Sequence, residues 1–275
     1  MYTEEEIREK IQAGRNFMKM PVVIDADYKT DQYLGKPQPP LFKDPVSDVR
    51  IPLPKEFAEV VRKNDFLDVI NSRVSNRVYT EEPLTLKQLS YLLWCAQGVK
   101  GLRGKKYATL RTVPCGGARH QFELYLAVQF VEGLKPGYYH YLPQTHELEL
   151  LSEDDGTMRD FLKESLAGQG WTVKASVTFY ISMVAYRAEW RYGISSHRVA
   201  LVDSGYISEN IYLAATAADL GSCAIGAVRN QICDEKFGLD GVDEYIFLAH
   251  PVGTVRPEDY QKELDFYAFI KEFDK

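Results

Sequence analysis

The stretch that most constrains the fold is residues 198–220, RVALVDSGYISENIYLAATAADL. It predicts the longest helix of the chain, closed by Gly221. Between Val199 and Leu220 its only charged residues are Asp203, Glu209 and Asp219. Small residues sit on several faces: Ala200, Ser204, Gly205, Ser208, Ala214, Ala215, Ala217 and Ala218. A helix that is apolar nearly all round is buried all round. It either runs through the middle of a domain or packs against its own copy in a dimer.

Around it, strand and helix patterns alternate. FELYLAVQF, YYHYL, VTFYISMVA, SCAIGAV and EYIFLAHPVG read as strands, and VEGLKPG as a turn. PLTLKQLSYLLWCAQG reads as a helix with a capping box of Thr85 and Gln88, a staple of Leu84 and Leu89, and a stop at Gly98. KEFAEVVRKNDFLDVINSR reads as one or two helices, and 155–172 as a mixed stretch with helical pieces. Such interleaving is α+β or α/β. A further capping box, Thr3 and Glu6, with Tyr2 and Ile7 as its staple, opens a helix of about four turns. Residues 20–54 then lose periodicity and are Pro-rich, either a linker or a segment that wraps another subunit. The division expected is an N-terminal helix and extended segment over 1–60, followed by one domain over 61–275.

Composition excludes several classes. A net charge of -6 argues against general nucleic-acid binding. No 18-residue apolar run suggests a membrane span, and the start MYTEEEIREK is unlike a secretory signal. Cys95, Cys115, Cys223 and Cys233 lack metal-ligand spacing, so reduced thiols in the cytoplasm are expected. The five histidines form no metal pair, and no metal is expected. GxGxxG, Walker A, HExxH and GxSxG are absent. Charge is also segregated: Pro83–Phe122 holds seven bases and no acid, while the rest holds 26 bases against 39 acids. That stretch is either a solvated basic loop around GVKGLRGKK or a positive field for an anionic ligand.

Three segments, in order over roughly 70–255, resemble the FMN-dependent nitroreductase family. They are SRVSNRVYTEEPLTLKQLSYLLWCAQG, RTVPCGGARHQFELYL and LVDSGYISENIYLAATAADLGSCAIGAV. The likeness is greatest to the branch that oxidises azolines in thiazole- and oxazole-containing peptides. It implies a nitroreductase-like α+β fold: a central mixed sheet flanked by helices, with a long buried dimer helix and FMN at the subunit interface. Activity would be two-electron transfer from a transiently docked reduced nicotinamide to an electron-poor acceptor, such as a nitroaromatic, quinone or enone.

Residue by residue, the resemblance makes Arg73, Ser75 and Arg77 ligands of the phosphate and ribityl chain. Two guanidinium forks and a hydroxyl suit phosphate oxygens; the alternative is a pair of surface arginines bonding Glu81 and Glu82. Arg256 would add charge there. Pro114, Cys115, Gly116 and Gly117 would let the backbone approach the flavin face. The family usually carries Ser at the position of Cys115; a Cys115 nucleophile with His120 as base, in an acyl transferase, is the competing reading. A backbone N–H near Ile225, Gly226 and Ala227 would reach the flavin edge. The azoline-oxidising enzymes carry a Lys-Tyr pair before the long helix; here Tyr192 is kept and Arg191 replaces the lysine. Arg does not release its proton near neutral pH. Azoline oxidation, or a flavin-binding role within a peptide-modifying complex, is therefore the second reading.

Overall fold

The computed structural model describes residues 2–19 and 28–265. Its helices are α1 (Glu4–Lys19), α2 (Phe66–Ser72), α3 (Leu86–Gln97), α4 (Met158–Ser165), α5 (Ala185–Tyr192), α6 (Ser196–Ala217), α7 (Asn230–Phe237) and α8 (Tyr260–Asp265). Its strands are β1 (Arg50–Pro52), β2 (Val99–Arg103), β3 (Ala108–Arg111), β4 (Phe122–Val128), β5 (Gly137–Leu142), β6 (Glu147–Glu153), β7 (Val177–Val184), β8 (Leu220–Ser222) and β9 (Glu244–Thr254).

Seven strands form one sheet in the order β1-β6-β5-β4-β7-β9-β8, and β2 pairs with β3 as a separate hairpin. β4 sits near the centre, with every residue buried. Successive side chains of a strand face opposite ways, so β4 feeds two cores. Phe122, Leu124, Leu126 and Val128 pack with α3 and α6. Tyr125 and Ala127 pack with α4 and α7. The expected central sheet between helices is present. Each pairing between named strands of that sheet is antiparallel, and the parallel pairings are single bridges, Ser75 to Ser222 and Leu84 to Val131.

The capping boxes form as read. The Thr85 hydroxyl accepts from Gln88 N while the Gln88 side chain accepts from Thr85 N. Thr3 N donates to Glu6 Oε2 at 2.7 Å. No described residue of α1 is buried, however, and its staple residues Tyr2 and Ile7 are exposed. The long helix ends earlier than Gly221. Its C-cap is Ala218, and the chain reverses at Asp219 with φ 55°. Gly221 lies in β8, where a Cβ would clash with Val255 and meet Asn76 at 2.8 Å. It serves a close approach rather than a helix stop. Of residues 55–72, only Phe66–Ser72 is helical, capped by the Asp65 carboxylate.

The extended segment from residue 28 to β1 lies along its own chain. Gln32 N donates to Trp190 O, Lys43 Nζ bonds Tyr125 and Glu244, and the amides of Val46 and Ser47 donate to Glu149 Oε2. Beneath it runs a buried ionic row. Arg187 pairs with Glu123 at 2.5 Å, and His140 bridges Glu123 at 3.3 Å and Glu149 at 2.7 Å. Such groups stay inside only because each is paired.

Candidate functional site

Two clusters carry the residues singled out in the sequence. The first surrounds Tyr212 on α6. Residues after α2 run extended, so alternate side chains share a face. Arg73 and Ser75 both turn towards Tyr212: the Arg73 guanidinium lies 5.1 Å from the ring centroid, and Ser75 Oγ is 3.0 Å from the hydroxyl. Ala224 N donates to the same hydroxyl at 2.8 Å. Ser75 also bridges Ser222, and Asn76 N donates to Ser222 O. One phenol thus joins the Arg-x-Ser-x-Arg segment to the segment leading into Gly226.

Three of the expected ligands are partly committed elsewhere. Arg77 meets Glu263 of α8: its amide and that of Val78 donate to Glu263 Oε2 at 2.6 and 3.2 Å, and its guanidinium lies 3.4 Å from Oε1. Arg256 is exposed and pairs with Glu82. The Ile225 amide is spent on Ala249 O at 2.8 Å. Gly226 and Ala227 are exposed, and a Cβ at Gly226 would meet nothing within 4 Å. The donors suit an anion, since a carboxylate already occupies two amides and a guanidinium.

The second cluster is the loop holding Pro114, Cys115, Gly116 and Gly117. Asp203, buried on α6, organises it: its carboxylate accepts from Gly116 N at 3.0 Å, Gln121 Nε2 at 3.0 Å and Cys115 Sγ at 3.2 Å. Gly117 has φ 57°, and a Cβ there would clash with Arg191 Nε and meet the Tyr192 hydroxyl at 2.8 Å. Loop 114–117, Arg191 and Tyr192 are thus brought together. The glycine is required twice, by its backbone angle and by the guanidinium against it. Pro114 is exposed.

Cys115 and His120 do not form a nucleophile–base pair. The His120 amide, not its ring, donates to Cys115 Sγ at 3.1 Å. Burial, then the Asp203 charge and hydrogen bond, push the Cys115 thiol up to about 12. Burial and the nearby arginines bring the His120 ring down to about 3. A nucleophilic thiol needs the opposite shift.

The clusters lie on opposite faces of α6. Asp203 and Tyr212 are nine residues apart, which is about 13 Å along the helix and roughly half a turn around it at 100° per residue. Nor is α6 buried all round in one chain: Leu201, Val202 and Tyr206 are 49%, 54% and 42% exposed. Phe66, Leu67 and Ile70 of α2 are likewise exposed. Between α2, α3 and α6 opens a cleft of about 560 Å³ lined by Phe57, Phe66, Trp94 and Leu213. Sequence reasoning did not assign Tyr212, Asp203, Tyr107 or Gln32 to the site. Their roles come from contacts between distant segments, and no local pattern marks them.

A seven-stranded antiparallel sheet between two helical layers, with a long helix carrying polar clusters on both faces, defines an α+β protein of the nitroreductase fold. The nitroreductase family profile matches residues 70–254, and the chain belongs to that family. It is a nitroreductase-family oxidoreductase. A candidate nitroreductase of Methanocaldococcus jannaschii is 33% identical over 187 residues, 68% of this chain and 89% of that protein. The trifolitoxin-processing protein TfxB of Rhizobium leguminosarum bv. trifolii is 28% identical over 150 residues, 52% of this chain and 39% of its own. The solved structure of a candidate nitroreductase from Anabaena variabilis superposes with a TM-score of 0.64 and 23% identity. The match covers 83% of this chain and 42% of that one, so the chain spans less than half of that relative. No helix among the described residues is long and apolar enough to cross a membrane.

Proposed function

We propose that the chain is an FMN-dependent oxidoreductase, a homodimer whose two sites each draw residues from both copies. The observation that carries this reading is the division of the candidate residues between opposite faces of α6. Within one chain, loop 114–117 and the Arg73–Ser75–Tyr212 cluster cannot line a single cofactor; a second copy seated on the exposed α2 and α6 surface supplies the missing half. Residues 61–275 are read as the flavin domain and 1–60 as its extension.

FMN, when bound, supplies reversible two-electron transfer between a reduced nicotinamide and an electron-poor acceptor such as a nitroaromatic, quinone or enone. Arg73, Ser75 and Arg77 hold its phosphate and ribityl chain, with Arg77 exchanging Glu263 for the phosphate. The Gly226 and Ala227 amides would donate to the ring edge, and Pro114–Gly117 of the other copy would let their backbone approach the ring. Tyr192 and Arg191 line the acceptor side. The absence of a dinucleotide fingerprint fits a nicotinamide that visits and leaves.

The test is the purified protein's visible spectrum, with the acid-released flavin identified by chromatography. A yellow protein releasing FMN, and Arg73→Ala losing it on dialysis, are the expected results. A colourless protein that takes up no added FMN overturns the reading. The similarity to TfxB supports a second reading, oxidation of a peptide azoline alone or within a peptide-modifying complex. Arg191 at the lysine position weighs against a general base there. Thiazoline oxidation by the unmodified protein would promote that reading.

A further inference from the structure

We propose that the acceptor taken at loop 114–117 carries an anionic group, a carboxylate or phosphate, and that Arg191 receives it. The proposal rests on the oxidoreductase reading above and narrows its substrate class.

Arg191 is held from two sides. Its Nη1 donates to Gln32 Oε1 at 3.0 Å and to the Tyr107 hydroxyl at 2.9 Å. That hydroxyl also accepts from Gln32 Nε2 at 2.8 Å, closing a triangle. Three distant segments meet here: the N-terminal extension, the β2–β3 hairpin and the end of α5. Nε and Nη2 of Arg191 have no hydrogen-bond partner among the described residues. The guanidinium is positioned through Nη1 and its Nε packs against Gly117, which leaves Nη2 for a ligand.

The surroundings are cationic. Arg119 is buried beside it, 4.8 Å from the Tyr107 ring centroid and 5.3 Å from that of Trp190. Burial first, and the Arg191 charge among lesser causes, lower its guanidinium. The hairpin that presents Tyr107 exposes Lys100, Arg103, Lys105 and Lys106, none with an ion-pair partner among the described residues. Among the described residues, Asp203 is occupied by the 115–121 loop, Asp31 by Lys36 and Tyr186, and Glu189 by His197. Within the acid-free stretch 83–122, Lys87 on α3 pairs with Glu59 and Arg111 is buried against Gln97, but the other five bases, the four on the hairpin and Arg119, make a positive approach ending at Arg191. Such a field raises the local concentration of anions within a screening length of about 10 Å at 0.1 M salt. A neutral acceptor gains nothing from it.

The experiment compares para-nitrobenzoate with its methyl ester, which presents the same nitroaromatic without the charge. The flavin-loaded protein should favour the anion in kcat/KM by roughly tenfold or more, the worth of one charge-assisted hydrogen bond. Added salt should erode the ratio. Arg191→Gln should collapse it, Arg191→Lys should keep part of it, and Tyr107→Phe, which frees the Arg191 side chain, should reduce it. Binding of both compounds without turnover, read by tryptophan fluorescence, should follow the same order. Equal use of both acceptors, or a ratio untouched by Arg191→Gln, overturns the proposal. So does a rise in KM for the reduced nicotinamide with the ratio unchanged, which would assign Arg191 to the donor. If neither acceptor is reduced, the oxidoreductase reading fails separately, and the binding order still decides the role of Arg191.

Discussion

Asp203 is where the loop beside the candidate site can be cut from its support. Its carboxylate holds three donors, the Gly116 amide, the Gln121 amide group and the Cys115 thiol. Asp203→Ala strands them without offering water a route, since Gln121 and Asp203 are 1% and 3% exposed. An unsatisfied buried donor costs about 1–3 kcal/mol, and the thiol is a weak donor. The two amides together cost roughly 3–5 kcal/mol. For a chain of this size each kcal/mol lowers Tm by about 2–4 °C, so a fall of roughly 6–20 °C is expected in a thermal melt. Asp203→Asn keeps one acceptor and should fall less. The charge of Asp203 also adds to the elevation of the Cys115 thiol, so either variant should alkylate faster with iodoacetamide at alkaline pH. An Asp203→Ala protein that melts within about 1 °C of the parent, with Cys115 reacting as before, would refute this account of the loop.

Cys115→Ser should keep flavin and most turnover, because the hydroxyl can donate to Asp203 as the thiol does; loss of turnover with flavin bound would restore the cysteine mechanism. Leu201→Glu should yield monomers in light scattering and weaken flavin retention, because it charges the exposed stripe of α6; a dimer of undiminished affinity would place the interface elsewhere. Acid should destabilise the fold early. Burial lowers His120 and His250 to about 3 and His146 to about 4, so all three are neutral in the fold while the unfolded chain protonates below about 6.5. Their stabilisation is full above that pH and falls as pH drops, with a limiting slope of roughly 4 kcal/mol per pH unit for three groups. His140 runs the other way: burial lowers it, but Glu123 and Glu149 outweigh burial and raise it, so its contribution is lost only as pH rises through that raised value. Urea midpoints measured from pH 7.5 to 4.5 check both senses, and a flat profile would contradict them.

The helices with complete local signals were legible in the sequence. Thr85–Gln88 and Thr3–Glu6 mark their starts because the capping donors lie within four residues. The β2–β3 hairpin was not: its basic GVKGLRGKK segment lacks alternation, having no buried sheet face to specify. α5 was missed because Arg187, Glu189 and Arg191 interrupt its apolar pattern; Arg187 is buried only because Glu123 meets it. For the candidate site, the Arg73-x-Ser75-x-Arg77 run was picked out as a set of anion donors, while the turning of Arg73 and Ser75 towards Tyr212 depends on a helix far along the chain. The carboxylates that engage Arg77 and Arg256 could not be assigned from sequence, since Glu263 comes from 186 residues away. Equally hidden was the half-turn around α6 that separates the two clusters, which is a property of three-dimensional packing.

The anchoring of the N-terminal extension bears on how the chain is made. Lys43 meets Glu244 across 201 residues. At a synthesis rate of about 5–20 residues per second, Lys43 leaves the ribosome roughly 10–40 s before its partner exists. This segment, made well before its partner, is therefore among the last to settle. During that interval the prolines between residues 37 and 54 keep it out of helices, so it stays extended until β6 and Glu244 are made to receive it.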